Sequence, residues 1–222
     1  MMTYEALVFD AYGTLFDVHS VAAQCERLWP GNGAAISQMW RGKQLEYTWQ
    51  RSLMRRYEDF RTVTEGALRY VCAAQRIDCG DSQVKVLMDE YLQLATFPEV
   101  SQALKQLGSR KLAILSNGSP AMLEPLVRNA GLDAAFAAVL SVDSLGVYKP
   151  DPRVYQLAVD TLGIAAAKIG FVSSNCWDAC GARAFGFTTF WINRSGAPVD
   201  DLGVIPDFIV QNLAELPQLL GV

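Results

Sequence analysis

The chain has 222 residues, 51% of them hydrophobic and 19% charged, which supplies a substantial apolar core and excludes a disordered protein. A net charge of -4 and a pI near 5.0 argue against nucleic acid as the main partner. No apolar run approaches the ~20 residues that span a bilayer, and Met1-Met2-Thr3-Tyr4-Glu5 lacks the basic segment of a secretory signal, so the sequence predicts a cytoplasmic protein without membrane contact.

The first element is an apolar run, Ala6 to Phe9, that stops at Asp10 and is followed by Gly13 and Thr14. A buried strand is predicted there, delivering Asp10 to the carboxyl edge of a sheet, where α/β folds bind small molecules. From Val18 to Phe97 no strand pattern occurs. Trp40, Leu45, Trp49 and Leu53 recur near a spacing of four, with Arg41, Arg51, Arg55 and Arg56 around them, and Leu87, Tyr91, Leu92 and Leu94 continue the helical theme. Residues 18–97 are therefore expected to form an all-helical insertion, a small bundle.

Strands and helices alternate from Phe97-Pro98 onward. Pro98-Glu99 opens a helix that Gly108 closes, and Lys111 to Leu115 is a strand. Ser119-Pro120 opens a helix reaching Gly131, with Pro125 expected to kink it or shift its start. Ala137 to Val142 is a strand, and Asp151-Pro152 starts a helix ending at Gly163. Ile169 to Val172, Thr188 to Ile192 and Phe208 to Val210 are further strands, with a helix between the first two. The predicted class is α/β, a Rossmann-like parallel sheet core built from residues 1–17 and 98–222 and interrupted by the helical segment.

The cysteines, Cys25, Cys72, Cys79, Cys176 and Cys180, are odd in number and irregularly spaced, so they are expected to be reduced and mostly buried. Cys176 and Cys180 fit one helix face, but two thiols make a poor zinc site. His19 is the sole histidine, which disfavours Ser-His-Asp and Cys-His mechanisms and leaves carboxylate and lysine chemistry.

Polar clusters end four of the strands or follow them closely: Asp10-x-Tyr12-Gly13-Thr14, Ser116-Asn117-Gly118, Lys149-Pro150-Asp151-Pro152, and Ser173-Ser174-Asn175 with Trp177-Asp178. Each alone reads as a turn or a helix cap. Together, at successive strand ends, they converge on one edge of the sheet.

In these motifs the sequence resembles the haloacid dehalogenase superfamily, whose marks are a nucleophilic Asp, a Ser or Thr, a Lys and an acidic loop. More narrowly it resembles the L-2-haloacid dehalogenases, over essentially the whole chain, with the helical insertion matching their cap subdomain. Superfamily phosphatases carry a second Asp two residues after the nucleophile, as acid for the leaving group. Tyr12 stands there in this chain, and a halide needs no proton to leave. The fourth motif has Ser173-Ser174-Asn175 with only Asp178 acidic, a poor set for magnesium. No metal and no cofactor are expected.

The resemblance implies hydrolysis of short-chain L-2-haloalkanoic acids to D-2-hydroxyalkanoic acids. Asp10 would displace halide from C2 with inversion, and water would hydrolyse the resulting ester at the Asp10 carbonyl. Lys149 is the counter-charge between the enzyme and substrate carboxylates. By the same resemblance Ser116 would bind the substrate carboxylate, with Arg41 and Asn117 at the departing halide and Leu45, Phe60 and Trp177 around the alkyl chain. Thr14, Tyr155, Ser173, Asn175 and Asp178 would orient Asp10 and Lys149 or position water, with Asp178, Lys149 or the pair activating it. The implied partner is a small anionic 2-haloacid, and the implied assembly a homodimer. A Mg-dependent phosphatase of the same superfamily and a non-catalytic organic-acid binding protein are the competing readings.

Overall fold

A computed structural model describes residues 4–222. The first strand, β1 (Ala6–Phe9), is buried on both faces, which is why its sequence is continuously apolar rather than alternating. It lies at the centre of a parallel sheet of order β3-β2-β1-β4-β5-β6. The other strands are β2 (Lys111–Ser116), β3 (Ala138–Ser141), β4 (Ile169–Ser173), β5 (Thr188–Ile192) and β6 (Phe208–Val210). Phe9 pairs with Ile114 on one side and Val172 on the other. The strand order reverses between β1 and β4, so the crevice beyond the C-terminal ends of these two strands is the topological switch point.

The insertion after β1 holds four helices: α1 (Ser20–Leu28), α2 (Gly33–Met54), α3 (Phe60–Ala74) and α4 (Asp81–Glu90). The insertion is tied at its base, where the Asp17 N–H donates to Ala95 O at 2.8 Å and the Phe97 N–H to Leu15 O at 3.1 Å. Asp59 caps α3 by accepting from Arg61 N–H at 2.8 Å. The core helices are α5 (Val100–Leu107), α6 (Pro120–Asn129), α7 (Pro152–Leu162), α8 (Cys176–Phe185) and the short α9 (Glu215–Leu219). Among the described residues no helix is long and apolar enough to cross a membrane.

The structure departs from the sequence expectations in a few places. The last helix of the insertion, α4, stops at Glu90, so Leu92 and Leu94 lie beyond it. Leu53 is 85% exposed, because the buried row of α2 is Ile36, Trp40, Gln44 and Thr48. The start of α6 is not displaced by Pro125, which is accommodated inside the helix. The strand β3 ends at Ser141, whose Oγ accepts the Asp143 N–H at 3.1 Å and turns the chain.

Candidate active site

Asp10 is the first residue past β1, and its N–H still donates to Val172 O at 2.9 Å, which fixes it between β1 and β4. Gly13 has φ of 89°, and a Cβ there would approach Ser174 Oγ at 3.0 Å, so the loop after β1 packs tightly on the loop after β4. Thr14 stitches the two together: its Oγ1 accepts the Ser174 N–H at 2.8 Å and donates to Asp10 Oδ2 at 3.1 Å. Asn175, the N-cap residue of α8, donates from Nδ2 to the same oxygen at 3.0 Å.

The other oxygen, Asp10 Oδ1, accepts from Lys149 Nζ at 3.0 Å, and Nζ donates also to Asp178 Oδ2 at 2.9 Å. Tyr155, in the first turn of α7 after the Asp151 cap, donates from its hydroxyl to Asp178 Oδ1 at 2.9 Å. Asp178 sits in the first turn of α8, where the helix dipole favours a carboxylate. The triad Asp10–Lys149–Asp178 is buried, at 6%, 1% and 0% exposure, and carries two carboxylates against one ammonium. Burial raises the Asp178 carboxyl above the usual range against the opposing pull of Lys149, and the Asp10 charge raises it further. Burial alone would lower the Lys149 ammonium, but its two carboxylate neighbours more than reverse this and leave it raised. The Tyr155 phenol is held well above its ordinary value by burial and then by the Asp178 charge.

Beyond Asp10 lies a narrow chamber of about 10 Å³, lined by Asp10, Tyr12, Arg41, Leu45, Phe60, Asn117, Asn175 and Trp177. It adjoins a hollow of about 420 Å³ that shares Tyr12, Arg41, Asn175 and Trp177 with it. Asn117 Oδ1 accepts the Lys149 N–H at 3.0 Å, which turns the amide's NH₂ donors away from that bond and leaves them for other partners. Trp177 meets Trp49 of α2 edge-to-face at 5.4 Å, joining the insertion to the core above the chamber. The Tyr12 hydroxyl is buried and has no hydrogen-bond partner among the described residues.

The sequence-named residues Tyr12, Arg41, Leu45, Phe60, Asn117, Asn175 and Trp177 thus come together around Asp10, while Lys149, Asp178, Thr14 and Tyr155 form the hydrogen-bonded shell beneath it. Ser116 and Ser173 are fully buried and stand outside the chamber lining. The Ser116 Oγ accepts Gly118 N–H at 3.1 Å and the Ser173 Oγ accepts Asn175 N–H at 3.2 Å, so both shape their turns. Sequence reasoning assigned no role to Ser174, whose backbone N–H anchors Thr14, or to Gln44, which accepts from Arg41 Nη1 at 2.7 Å. The i,i+3 spacing of Arg41 and Gln44 on one helix was the available signal for the latter.

The donor set does not suit magnesium. The Lys149 ammonium is hydrogen-bonded between the carboxylates that would have to bind the ion, and the remaining groups of the fourth motif are hydroxyls and an amide. Among the described residues no cluster of three or more His, Cys, Asp or Glu side chains comes together to hold a metal.

A family model for haloacid dehalogenase-like hydrolases matches residues 4–186. The chain is 51% identical over 217 residues to the (S)-2-haloacid dehalogenase of Pseudomonas sp. strain YL, covering 97% of this chain and 94% of that protein. The crystal structure of the L-2-haloacid dehalogenase RSc1362 superposes with a TM-score of 0.97 at 48% identity, covering 99% of this chain and 100% of that one. The L-2-haloacid dehalogenase of Xanthobacter autotrophicus with chloropropionic acid covalently bound matches with a TM-score of 0.93 at 42% identity, covering 99% of both chains. With its Asp10–Lys149 pair at the switch point and likeness over its full length, the chain belongs to the haloacid dehalogenase-like hydrolases, in their L-2-haloacid dehalogenase branch.

Proposed function

We propose that this chain hydrolyses short-chain L-2-haloalkanoic acids to D-2-hydroxyalkanoic acids and halide through an ester on Asp10, without a metal ion. The observation that carries the reading is a buried carboxylate paired with a lysine at the wall of a narrow chamber, with Tyr12 in place of an acid for the leaving group. Three of the four acceptor positions of Asp10 are filled, two on Oδ2 by Thr14 and Asn175 and one on Oδ1 by Lys149, so Oδ1 keeps a lone pair for C2. Its attack opposite the halogen forms the C2–O bond as the carbon–halogen bond breaks, inverting C2. Arg41 and the Asn117 amide offer donors to the departing halide, where negative charge develops. Lys149 offsets the repulsion between Asp10 and the substrate carboxylate, which the backbone N–H groups after β1 receive, while Ser116 shapes the turn that carries Asn117.

Water then attacks the Asp10 carbonyl carbon, its proton passes to Asp178, and the alkoxide leaves as the product hydroxyl, taking up a proton. Asp178 is the base in this scheme because burial raises its affinity for a proton, whereas the raised Lys149 stays charged and cannot accept one. Tyr155 and Ser173 hold Asp178 and Asn175 in place, and Leu45, Phe60 and Trp177 enclose the alkyl chain. Residues 18–97 act as a cap over a core of residues 1–17 and 98–222. The enzyme works in the cytoplasm as a homodimer. The exposed Leu53 and Leu202, at 85% and 58%, border one apolar hollow of about 470 Å³ that suits a subunit contact. Sedimentation at micromolar concentration tests this, a monomer refuting it.

The function is tested by a single turnover in ¹⁸O-water with enzyme in excess. The product hydroxyl is expected to carry unlabelled oxygen from Asp10, and the label to enter Asp10. Fully labelled product in that first turnover would falsify the ester route. Halide release unchanged by chelator, without phosphate release from phosphomonoesters, separates this reading from a phosphatase, and binding of haloacids without turnover would show a binding protein instead.

A further inference from the structure

Arg41 is held by a chain of hydrogen bonds running from the cap helix α2 into α3. Its Nη1 donates to Gln44 Oε1 at 2.7 Å, and Gln44 Nε2 donates to Thr64 Oγ1 at 2.7 Å. Thr64 gives its own hydroxyl proton to the Phe60 carbonyl at 2.6 Å, so towards Gln44 it only accepts. The Gln44 amide therefore has one workable orientation, with oxygen to Arg41 and nitrogen to Thr64. Trp40 Nε1 donates to the Thr64 carbonyl at 2.7 Å and locks the same turn of α3. Gln44 and Thr64 are both fully buried. Helix packing alone has no use for a primary amide there, since an aliphatic side chain would fill the volume without needing partners. Among the described residues Arg41 forms no ion pair.

We propose that Gln44 and Thr64 are positioning residues that aim the Arg41 guanidinium at the departing halide while leaving its charge unneutralised. The inference rests on the reading of Arg41 as a halide donor. A carboxylate at position 44 would hold the arginine more tightly and quench its field, whereas the neutral amide fixes direction and keeps the charge available. Without the chain, the flexible arginine explores rotamers that miss the chamber.

The test compares kcat and KM on 2-chloropropionate and 2-bromopropionate for wild type, Gln44→Met, Gln44→Glu, Thr64→Val, Thr64→Ser and, as reference, Arg41→Ala, with thermal unfolding to confirm folding. Gln44→Met is expected to lower kcat on the chloro acid by roughly 10- to 100-fold with KM changed less than about 3-fold. The loss is expected to be smaller on the bromo acid, because bromide is the better leaving group and leans less on its donors. Thr64→Val follows the same pattern, and Thr64→Ser, which keeps the hydroxyl, recovers most of what Thr64→Val loses. If Gln44→Met does not fold, Gln44→Glu carries the test, since it keeps shape and acceptor and is expected to lose kcat with the same halogen dependence. Folded variants with wild-type kcat, or with equal losses on both halogens, overturn the proposal while leaving the dehalogenase reading intact. A wild-type enzyme that releases no halide overturns both.

Discussion

Replacing Lys149 with Met keeps most of the side-chain length and removes the charge between Asp10 and Asp178. The ammonium lies 3.0 Å from Asp10 Oδ1 and 2.9 Å from Asp178 Oδ2. With an effective dielectric constant of ~20, each attraction is about 5–6 kcal/mol, and the desolvation of a fully buried ammonium cancels several kcal/mol of the sum. What is left behind decides the outcome: two buried carboxylates with no cation. Removing one partner of a buried pair costs about 3–5 kcal/mol, which for a chain of this size lowers Tm by roughly 6–20 °C. Turnover is expected to fall by at least ~100-fold, since Asp10 and the substrate carboxylate would then meet without a counter-charge.

The reasoning is checked by a double-mutant cycle with Asp178→Asn, followed by thermal unfolding at neutral pH and by halide release. In the wild-type background Asp178→Asn removes a partner of Lys149 and is expected to destabilise. In the Lys149→Met background the same change relieves carboxylate repulsion and is expected to stabilise, a difference of at least ~1 kcal/mol between the two backgrounds. Equal effects in both backgrounds would refute the electrostatic account of the triad. Activity should not return in the double variant, because the charge facing the substrate is still missing.

The raised Lys149 ammonium contributes stability that is fully present below the ordinary lysine value of 10.5 and is lost as pH rises through its folded-state value. The Tm gap between wild type and Lys149→Met is therefore expected to narrow above that pH, and a constant gap from pH 7 to 11 would contradict the linkage. A Cβ added at Gly181 of α8 would lie 2.6 Å from Pro150 Cβ and 2.7 Å from the Tyr155 hydroxyl. Gly181→Ala is expected to cost about 1–3 kcal/mol by overpacking and to lower kcat by displacing Tyr155 from Asp178, a wild-type Tm and kcat being the opposing result. Tyr12→Phe removes a buried hydroxyl that has no partner among the described residues, so the substrate-free enzyme is expected to gain about 1 kcal/mol, read as a rise in Tm.

The core half of the site was legible because its chemistry sits on backbone turns. Asp10 follows a strand buried on both faces, and such a strand is a continuous apolar run whose end is visible. Lys149 is 139 residues from Asp10, yet it too stands beside turn and cap residues, Pro150 and Asp151, that mark the edge of the sheet. Tyr155 was placed by counting from the Asp151-Pro152 helix start, and its hydroxyl does reach Asp178. The half carried by the helical insertion left a weaker mark. Periodicity picked out Trp40, Leu45, Trp49 and Leu53, but that row winds from buried Trp40 through the Trp49 contact with Trp177 out to exposed Leu53. The inner row carries Gln44 and Thr48, polar residues that a helical pattern assigns to solvent. Nothing local distinguishes an arginine held by a buried amide from an arginine on a wet face. Arg41 could be singled out only by family resemblance, and Gln44 and Thr64 only once α3 was packed against α2. Turn-borne chemistry is written in contiguous residues, whereas chemistry on a helix face depends on which neighbour covers it, and that is a property of the tertiary fold.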